Sequence, residues 1–305
     1  MDEYYKSGKI VSKVRDKATK IIKDGLAIVE LIEYVENEIK KEGAGIAFPV
    51  NVSINEITAH YTSPLNDTNT IKTGDLVKLD LGAEIDGYIA DSAITIMAPG
   101  DNLEEKFSED TIEKNNNLIE ASATGLEAAI STVKADVEVG QIGKAVEEAI
   151  NSFGFKPIIN LAGHSLEQWN LHSGLSIPNI DDHSTKKIKE GDVLAIEPFA
   201  TDGVGWVDDT KSINIYKLIA DKPFRMQHTQ KVLNEIKSEY SSLPFASRWL
   251  TEKFNVNRLN SSLRQLSNSM AVYPYPALKE KTNAWVSQKE HTVIVEKDSC
   301  IITTK

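Results

Sequence analysis

The chain has 305 residues, enough to bury a full core, and its 41% apolar and 26% charged content is ordinary for a globular protein. A formal charge of −11 argues against a general nucleic-acid surface, and no apolar run approaches the ~20 residues of a membrane helix, so neither nucleic acid nor membrane is expected as a partner. The single cysteine, Cys300, excludes an internal disulfide and a cysteine-based zinc site, which leaves oxygen and imidazole as the metal ligands on offer.

The opening MDEYYKSGKIVSK has no basic-then-apolar leader pattern, which points to a cytoplasmic protein. Leu26, Val29, Ile32, Val35 and Ile39 recur at helical spacing, so a helix is expected over 24–41, stopped by Gly43 and Gly45. Residues 71–80, IKTGDLVKLD, read as a Gly-Asp turn followed by a buried strand ending in Asp80. Asp86-Gly87 is a two-residue turn signal between strands at 76–85 and 88–96. That turn sets Asp80 opposite Ala93 and Gly82 opposite Asp91, so Asp80 and Asp91 become diagonal neighbours on one face. Two carboxylates closing on an interior face repel unless they are protonated or bound to a cation.

A helix is expected at about 112–133. Another should span 140–153, with Ile142, Val146, Ile150 and Phe153 on one side and Gly154 and Pro157 beyond. LAGHSLEQWNLHSG then carries His164 and, eight residues on, His172. Residues 188–197, IKEGDVLAIE, repeat the earlier segment and end in Glu197. Helices are expected at 228–239, 244–254 and 257–269, within an insertion of about 218–275. KEHTVIV (289–295) echoes ADSAITI (90–96), each with a carboxylate second, which supplies Glu290. Eleven residues separate Asp80 from Asp91, whereas ninety-three separate Glu197 from Glu290.

The echo argues for a duplicated α+β fold. One domain, 1–305, would comprise halves of about 1–110 and 111–305 related by a pseudo-twofold axis, with carboxylates from both facing the middle. Four carboxylates carry about −4, which two divalent cations balance, and a dinuclear site of this kind activates a bridging water. With Asp80, Asp91, Glu197, Glu290 and one imidazole, His164, the ligand set suits Mn²⁺, Fe²⁺, Co²⁺ or Zn²⁺. His183 and His228 read as solvated, and His291 follows a ligand on a strand, so alternation turns it away from the metals.

The spaced set LDLG…IADSA, GH…LHSG, AIEPFA and KEHTVIV resembles type II methionine aminopeptidases, across essentially the whole chain. The resemblance implies the pita-bread fold with a helical insertion before the last ligand, two metal ions, and removal of the initiator methionine when the second residue is small. By the same likeness Asp80 would chelate one metal, Asp91 and Glu290 would bridge, and His164 and Glu197 would bind the other, with Glu290 shuttling protons. His60, in TAHYTSP, would contact substrate, and His172 would hydrogen-bond the scissile amide. Phe48, Leu171 and Tyr275 would wall the methionine pocket, with Ile215 where eukaryotic members place a histidine. The chain lacks the long charged N-terminal extension of those members, so it is similar to the archaeal ones. A monomer acting on nascent chains, in reach of the ribosome, is implied. The rivals are a prolidase cleaving before proline, and a pita-bread binding protein that has lost its metals.

Overall fold

The computed structural model describes residues Met1–Lys305. Its first element, α1 (Asp2–Thr19), carries a buried face of Tyr4, Ser7, Gly8, Val11, Val14, Arg15 and Ala18. Half of that face is small or polar, which is why periodicity does not announce it. The reason lies in close packing: a Cβ on Gly8 would stand 2.3 Å from the Thr303 carbonyl oxygen, so the C-terminus lies directly on this helix.

Helix α2 (Ile28–Lys41) starts four residues later than expected, because Gly25 takes a left-handed turn (φ 79°). It buries Ile28, Leu31, Ile32, Val35 and Ile39, while Leu26 and Val29 are only half-buried. There follow β1 (Gly45–Ile54), β2 (Ile57–Ala59), β3 (Leu76–Ile85) and β4 (Tyr88–Met97). The β3–β4 register sets Asp80 opposite Ala93 and Gly82 opposite Asp91, as the two-residue turn requires.

The second half opens with the short α3 (Leu103–Lys106), then α4 (Glu109–Thr132) and α5 (Val139–Ser152). Ser108 caps α4 by accepting the Thr111 amide at 3.3 Å. Strands β5 (Lys156–Pro157), β6 (Ala162–Leu166), β7 (Ser176–Pro178), β8 (Val193–Ile196), β9 (Phe199–Thr201) and β10 (Val207–Leu218) come next. Then come α6 (Gln227–Glu239), β11 (Phe245–Ala246), a 3-10 turn at Ser247–Glu252, α7 (Val256–Asn268), β12 (Val272–Glu280), β13 (Val286–Gln288), β14 (His291–Val295) and β15 (Cys300–Ile302). The helix expected over 244–254 is therefore a strand plus a 3-10 turn. Phe245 and Ala246 pair instead with Tyr216 and Ile215, a sheet contact that overrides the local helical pattern. Helices α6 and α7 pack around Val232, Leu233, Ile236, Leu259, Leu263 and Leu266, a core of their own.

Duplication shows in backbone detail. Gly74 and Gly191 hold φ of 88° and 89°, and the Asp75 and Asp192 carboxylates accept the Lys72 and Lys189 amides at 2.8 and 2.7 Å. Isolated bridges Ala27–Thr70 and Glu138–Lys187 precede α2 and α5 alike. Two of the four sheets carry the repeat, ordered β1-β3-β4 and β15-β14-β8-β6-β7, beside β11-β10-β12-β2 and β13-β9-β5. The first two meet along β4 and β14, where hydroxyls join them: Thr292 Oγ1 accepts the Asp91 amide and donates to the Asp91 carbonyl, both at 2.8 Å. Ser92 Oγ donates to the Glu290 carbonyl and Thr95 Oγ1 to that of Gln288, each at 2.8 Å. No helix is long and apolar enough to cross a membrane.

Candidate active site

The seam between the sheets carries the carboxylates. Asp80 lies in β3 and Asp91 in β4, diagonal across the hairpin. In the other sheet His291 opposes Ile196, so Glu197 and Glu290 follow one step on as direct opposites. The second pair therefore differs from the first in register. The strand is broken at Glu197 and Pro198 but its pairing is not: the Pro198 carbonyl accepts the Lys289 amide at 3.2 Å, and β9 pairs with β13 in the same register. His164 comes from β6, opposite Ala195 of β8.

One cavity of about 60 Å³ collects Phe48, His60, Asp80, Asp91, His164, Leu171, His172, Glu197, Tyr275 and Glu290, every site residue expected from sequence. It adds four that sequence reasoning had not assigned to a site: Pro49, Asn51, Pro244 and, raised only as an open wall position, Ile215. Asn51 opposes Asp80 in the β1–β3 register, and its Nδ2 donates to Asp80 Oδ2 at 3.2 Å. Only knowledge of that long-range pairing could have found it. His291 points out of the cavity, its Nδ1 2.9 Å from Thr304 Oγ1. His183 is exposed beside Asp181, as expected. His228 is not fully solvated: it is half-buried on the first turn of α6.

Burial dominates the electrostatics. Asp91 and Glu290 are 4% and 1% exposed. Desolvation raises the Asp80 carboxyl to about 7, against the pull of Asn51. Asp91 is held well above the usual carboxylate range by burial, then by Asp80 and Glu197. Glu290 is raised by burial, then by Asp91, Glu197 and Asp80, and Glu197 by burial and Asp80. The imidazoles go the other way. Burial lowers His164 to about 4 and, with repulsion from His164, Lys217 and His60, lowers His172 to about 2. His60 is lowered by burial, partly offset by the Pro276 backbone and Asp209, and its backbone sits in the left-handed region at φ 61°. That conformation costs roughly 1 kcal/mol or more and is a form of strain often found at working sites.

These groups fit divalent metal ions. One ligand atom each from Asp91, His164 and Glu290 lies within 4.8 Å of the others. His164 Nε2 is 3.8 Å from Asp91 Oδ2 and 3.7 Å from Glu197 Oε1, spacings suited to ligands of a shared ion. Asp80 Oδ1, Asp91 Oδ1 and His164 Nδ1 are buried without a hydrogen-bond partner. No lysine or arginine pairs with any of the four carboxylates; His164 is their one basic neighbour in ion-pair range. Buried carboxylates left without a counter-cation call for a metal. Beside them the aromatic rings converge: His164 and His172 at 4.3 Å between centroids, His60 edge-on to Tyr275 at 5.5 Å, and His172 stacked with Tyr275 at 6.3 Å.

A carboxylate-imidazole cluster at the seam of a duplicated α+β fold defines a metal-dependent enzyme centre. Comparison with known proteins agrees. The model of metallopeptidase family M24 matches residues 2–223. A methionine aminopeptidase of Methanothermobacter thermautotrophicus is 53% identical over 305 residues, covering 100% of this chain and 99% of that protein. Among solved structures, a thermophilic Arx1 superposes with a TM-score of 0.86 at 17% identity, over 99% of this chain and 89% of the other. A methionine aminopeptidase of Thermotoga maritima does so at 0.71 and 20% identity, over 100% and 96%. Those two likenesses speak for the pita-bread fold alone. The chain belongs to metallopeptidase family M24, on its methionine aminopeptidase branch.

Proposed function

We propose that the protein removes the N-terminal methionine from polypeptides whose second residue is small. The observation that carries this reading is one narrow cavity holding four uncompensated carboxylates, three imidazoles kept neutral by burial, and an apolar wall. Asp80, Asp91, His164, Glu197 and Glu290 would hold two ions, drawn from Mn²⁺, Fe²⁺, Co²⁺ or Zn²⁺. When bound, the ions supply Lewis acidity and make a water acidic enough to attack near neutral pH. Glu290 takes the proton from the attacking water and passes it to the departing amine nitrogen. His172, held neutral, donates a hydrogen bond to the scissile amide as charge builds on its oxygen. His60 contacts the substrate beside Tyr275, against which it packs edge-on.

Phe48, Leu171, Ile215 and Tyr275 enclose the methionine side chain, all against the same cavity. A larger second residue would meet these walls and the imidazoles. We place the enzyme in the cytoplasm, as a monomer meeting nascent chains near the ribosome, and read 218–275 as a helical insertion in one catalytic domain. The test is a peptide panel with each metal added to chelator-treated protein. Release of Met from Met-Gly and Met-Ala peptides, with Met-Lys and Xaa-Pro peptides intact, is expected. Cleavage of Xaa-Pro peptides alone would assign the site to a prolidase instead.

A further inference from the structure

Beside the catalytic cavity lies a second, larger one of about 450 Å³, lined among others by Leu65, Lys211, Ile213, Asn214, Ser247 and Val256. Three stretches of chain lead from one cavity to the other. His60 belongs to the first and Pro64–Asn66 to the second; Ile215 to the first and residues 211–214 to the second; Pro244 to the first and Ser247 to the second. The groove thus begins where the catalytic cavity ends, a few residues of extended chain away at roughly 3.3 Å each.

Its lining is mostly polar, but three apolar side chains open to water stand in it. Leu65, Ile213 and Val256 are 41%, 37% and 37% exposed, and all three lie in this one groove. One flank is a sheet edge. Strand β11 pairs only with Ile215 and Tyr216, so β10 runs on past it through residues 211–214 without a neighbour on that side. An edge strand next to apolar side chains is the recognition geometry of an extended peptide, where the backbone gives affinity and the pockets give side-chain preference. The far wall is held still: Arg248 Nη2 contacts both Glu36 carboxylate oxygens at 3.0 and 3.2 Å, and Trp249 Nε1 donates to the same group at 3.0 Å. This anchors the 3-10 turn to α2.

We propose that this groove binds the substrate polypeptide beyond its second residue, pairing its backbone along β10 and taking apolar side chains from about the third to the fifth residue. The assignment rests on the aminopeptidase reading above, and names the occupant as the outgoing part of the same chain whose first residue is being removed. Backbone pairing suits an enzyme that must accept many sequences, and binding energy gathered there is free to act at the scissile bond.

The experiment uses the metal-loaded full-length protein and Met-Ala peptides of two to six residues, with leucine or glycine filling positions three to five. The kcat/KM should rise by about tenfold from the dipeptide to the leucine pentapeptide and then level off, with the glycine series gaining less. Leu65→Asp and Val256→Asp, both at exposed positions outside the catalytic cavity, should abolish the gain with length and leave dipeptide hydrolysis unchanged. A flat length profile with brisk dipeptide cleavage would overturn the groove alone. An equal fall for short and long peptides in both variants would overturn it too. Absence of any Met-Ala cleavage would sink the aminopeptidase reading, and the groove assignment with it.

Discussion

In the first half β3 runs five residues past Asp80 and turns at Asp86-Gly87 straight into β4. In the second half β8 stops at Ile196, the pairing carries on past Pro198 in the same register as β9 on β13, and the partner strands arrive only from Val286 on. The turn before each strand, with its left-handed glycine and aspartate-capped lysine amide, is the same in both. What differs is the connection between the paired strands, a two-residue turn in one half and a long inserted stretch in the other. Duplicated architecture has preserved the turn and the carboxylate while the downstream connection diverged, and the longer connection brings Ile215, Pro244 and Tyr275 to the cavity wall.

The sharpest way to break the comparison is to remove one carboxylate from each half. Asp91→Ala and Glu290→Ala should each lower kcat/KM by more than about 10³-fold, beyond the 10–100-fold typical of losing an outer partner of a ligand. Calorimetry should then find at most one tight metal site in either variant. Two tight sites in both would mean that neither carboxylate lies between the ions. Next in size is His172→Ala, which has no counterpart in the first half. It should reduce kcat by roughly 10²–10³-fold, the usual effect of losing one stabilising donor, with metal content unchanged. Loss of metal would make His172 a ligand.

Metal removal tests both halves together. Asp80 titrates at about 7 when folded, against an ordinary 3.8, and Asp91, Glu197 and Glu290 are raised likewise. The metal-free folded state thus holds protons more tightly than the unfolded chain. That contribution to stability is complete below the ordinary carboxylate range and is lost as pH rises toward 7. Metal needs the deprotonated ligands, so its stabilising effect grows over the same interval, reaching about 2.7 kcal/mol at a hundredfold excess over Kd. The rise in Tm on adding metal should therefore be larger at pH 7.5 than at pH 5.5. Equal rises would contradict the raised carboxylates.

Local rules made the first carboxylate pair legible: Asp86-Gly87 sets the turn, the turn sets the register, and period two sets the face. Sequence repetition carried the argument to Glu197, but the direct opposition of Glu197 and Glu290 was not readable, because no short turn joins their strands. Asn51 was invisible for a similar reason. Its partner lies in β3 across a sheet pairing, and β1 is interrupted by Pro49 and shifts register twice. The misplaced helix at 244–254 shows tertiary pairing overriding local pattern, and α1 escaped notice because close packing against Thr303 demands small residues where a periodic face would show large ones.

The hydroxyl seam was equally silent in sequence, and it gives a smaller effect to measure. Thr292→Val leaves the buried Asp91 amide and carbonyl without their partner, at a cost of about 1–3 kcal/mol in unfolding free energy. Because the same backbone positions Asp91, metal affinity should weaken as well, by roughly 10-fold or more. Unchanged stability and affinity would show that the Thr292 hydroxyl adds nothing to a seam already held by Ser92, Thr95 and the Glu290 amide.

The two shared turns permit the finest comparison. Gly74 and Gly191 have φ of 88° and 89°, so alanine at either position should cost about 1–2 kcal/mol from backbone strain alone. Their surroundings differ. A Cβ at Gly74 would stand 2.2 Å from Cε2 of Phe107, whose ring packs edge-on against Trp285 at 6.3 Å, whereas at Gly191 the nearest atom is the Met1 methyl at 4.0 Å. Gly74→Ala should therefore lose a further ~1 kcal/mol, the low end of overpacking because a ring edge can swing aside. Denaturant unfolding of both variants measures the difference, and Phe107→Ala in the Gly74→Ala background should remove it as a coupling energy. If the two glycine variants lose the same stability, the ring turns away at no cost, and the turns are equivalent in energy as well as in shape.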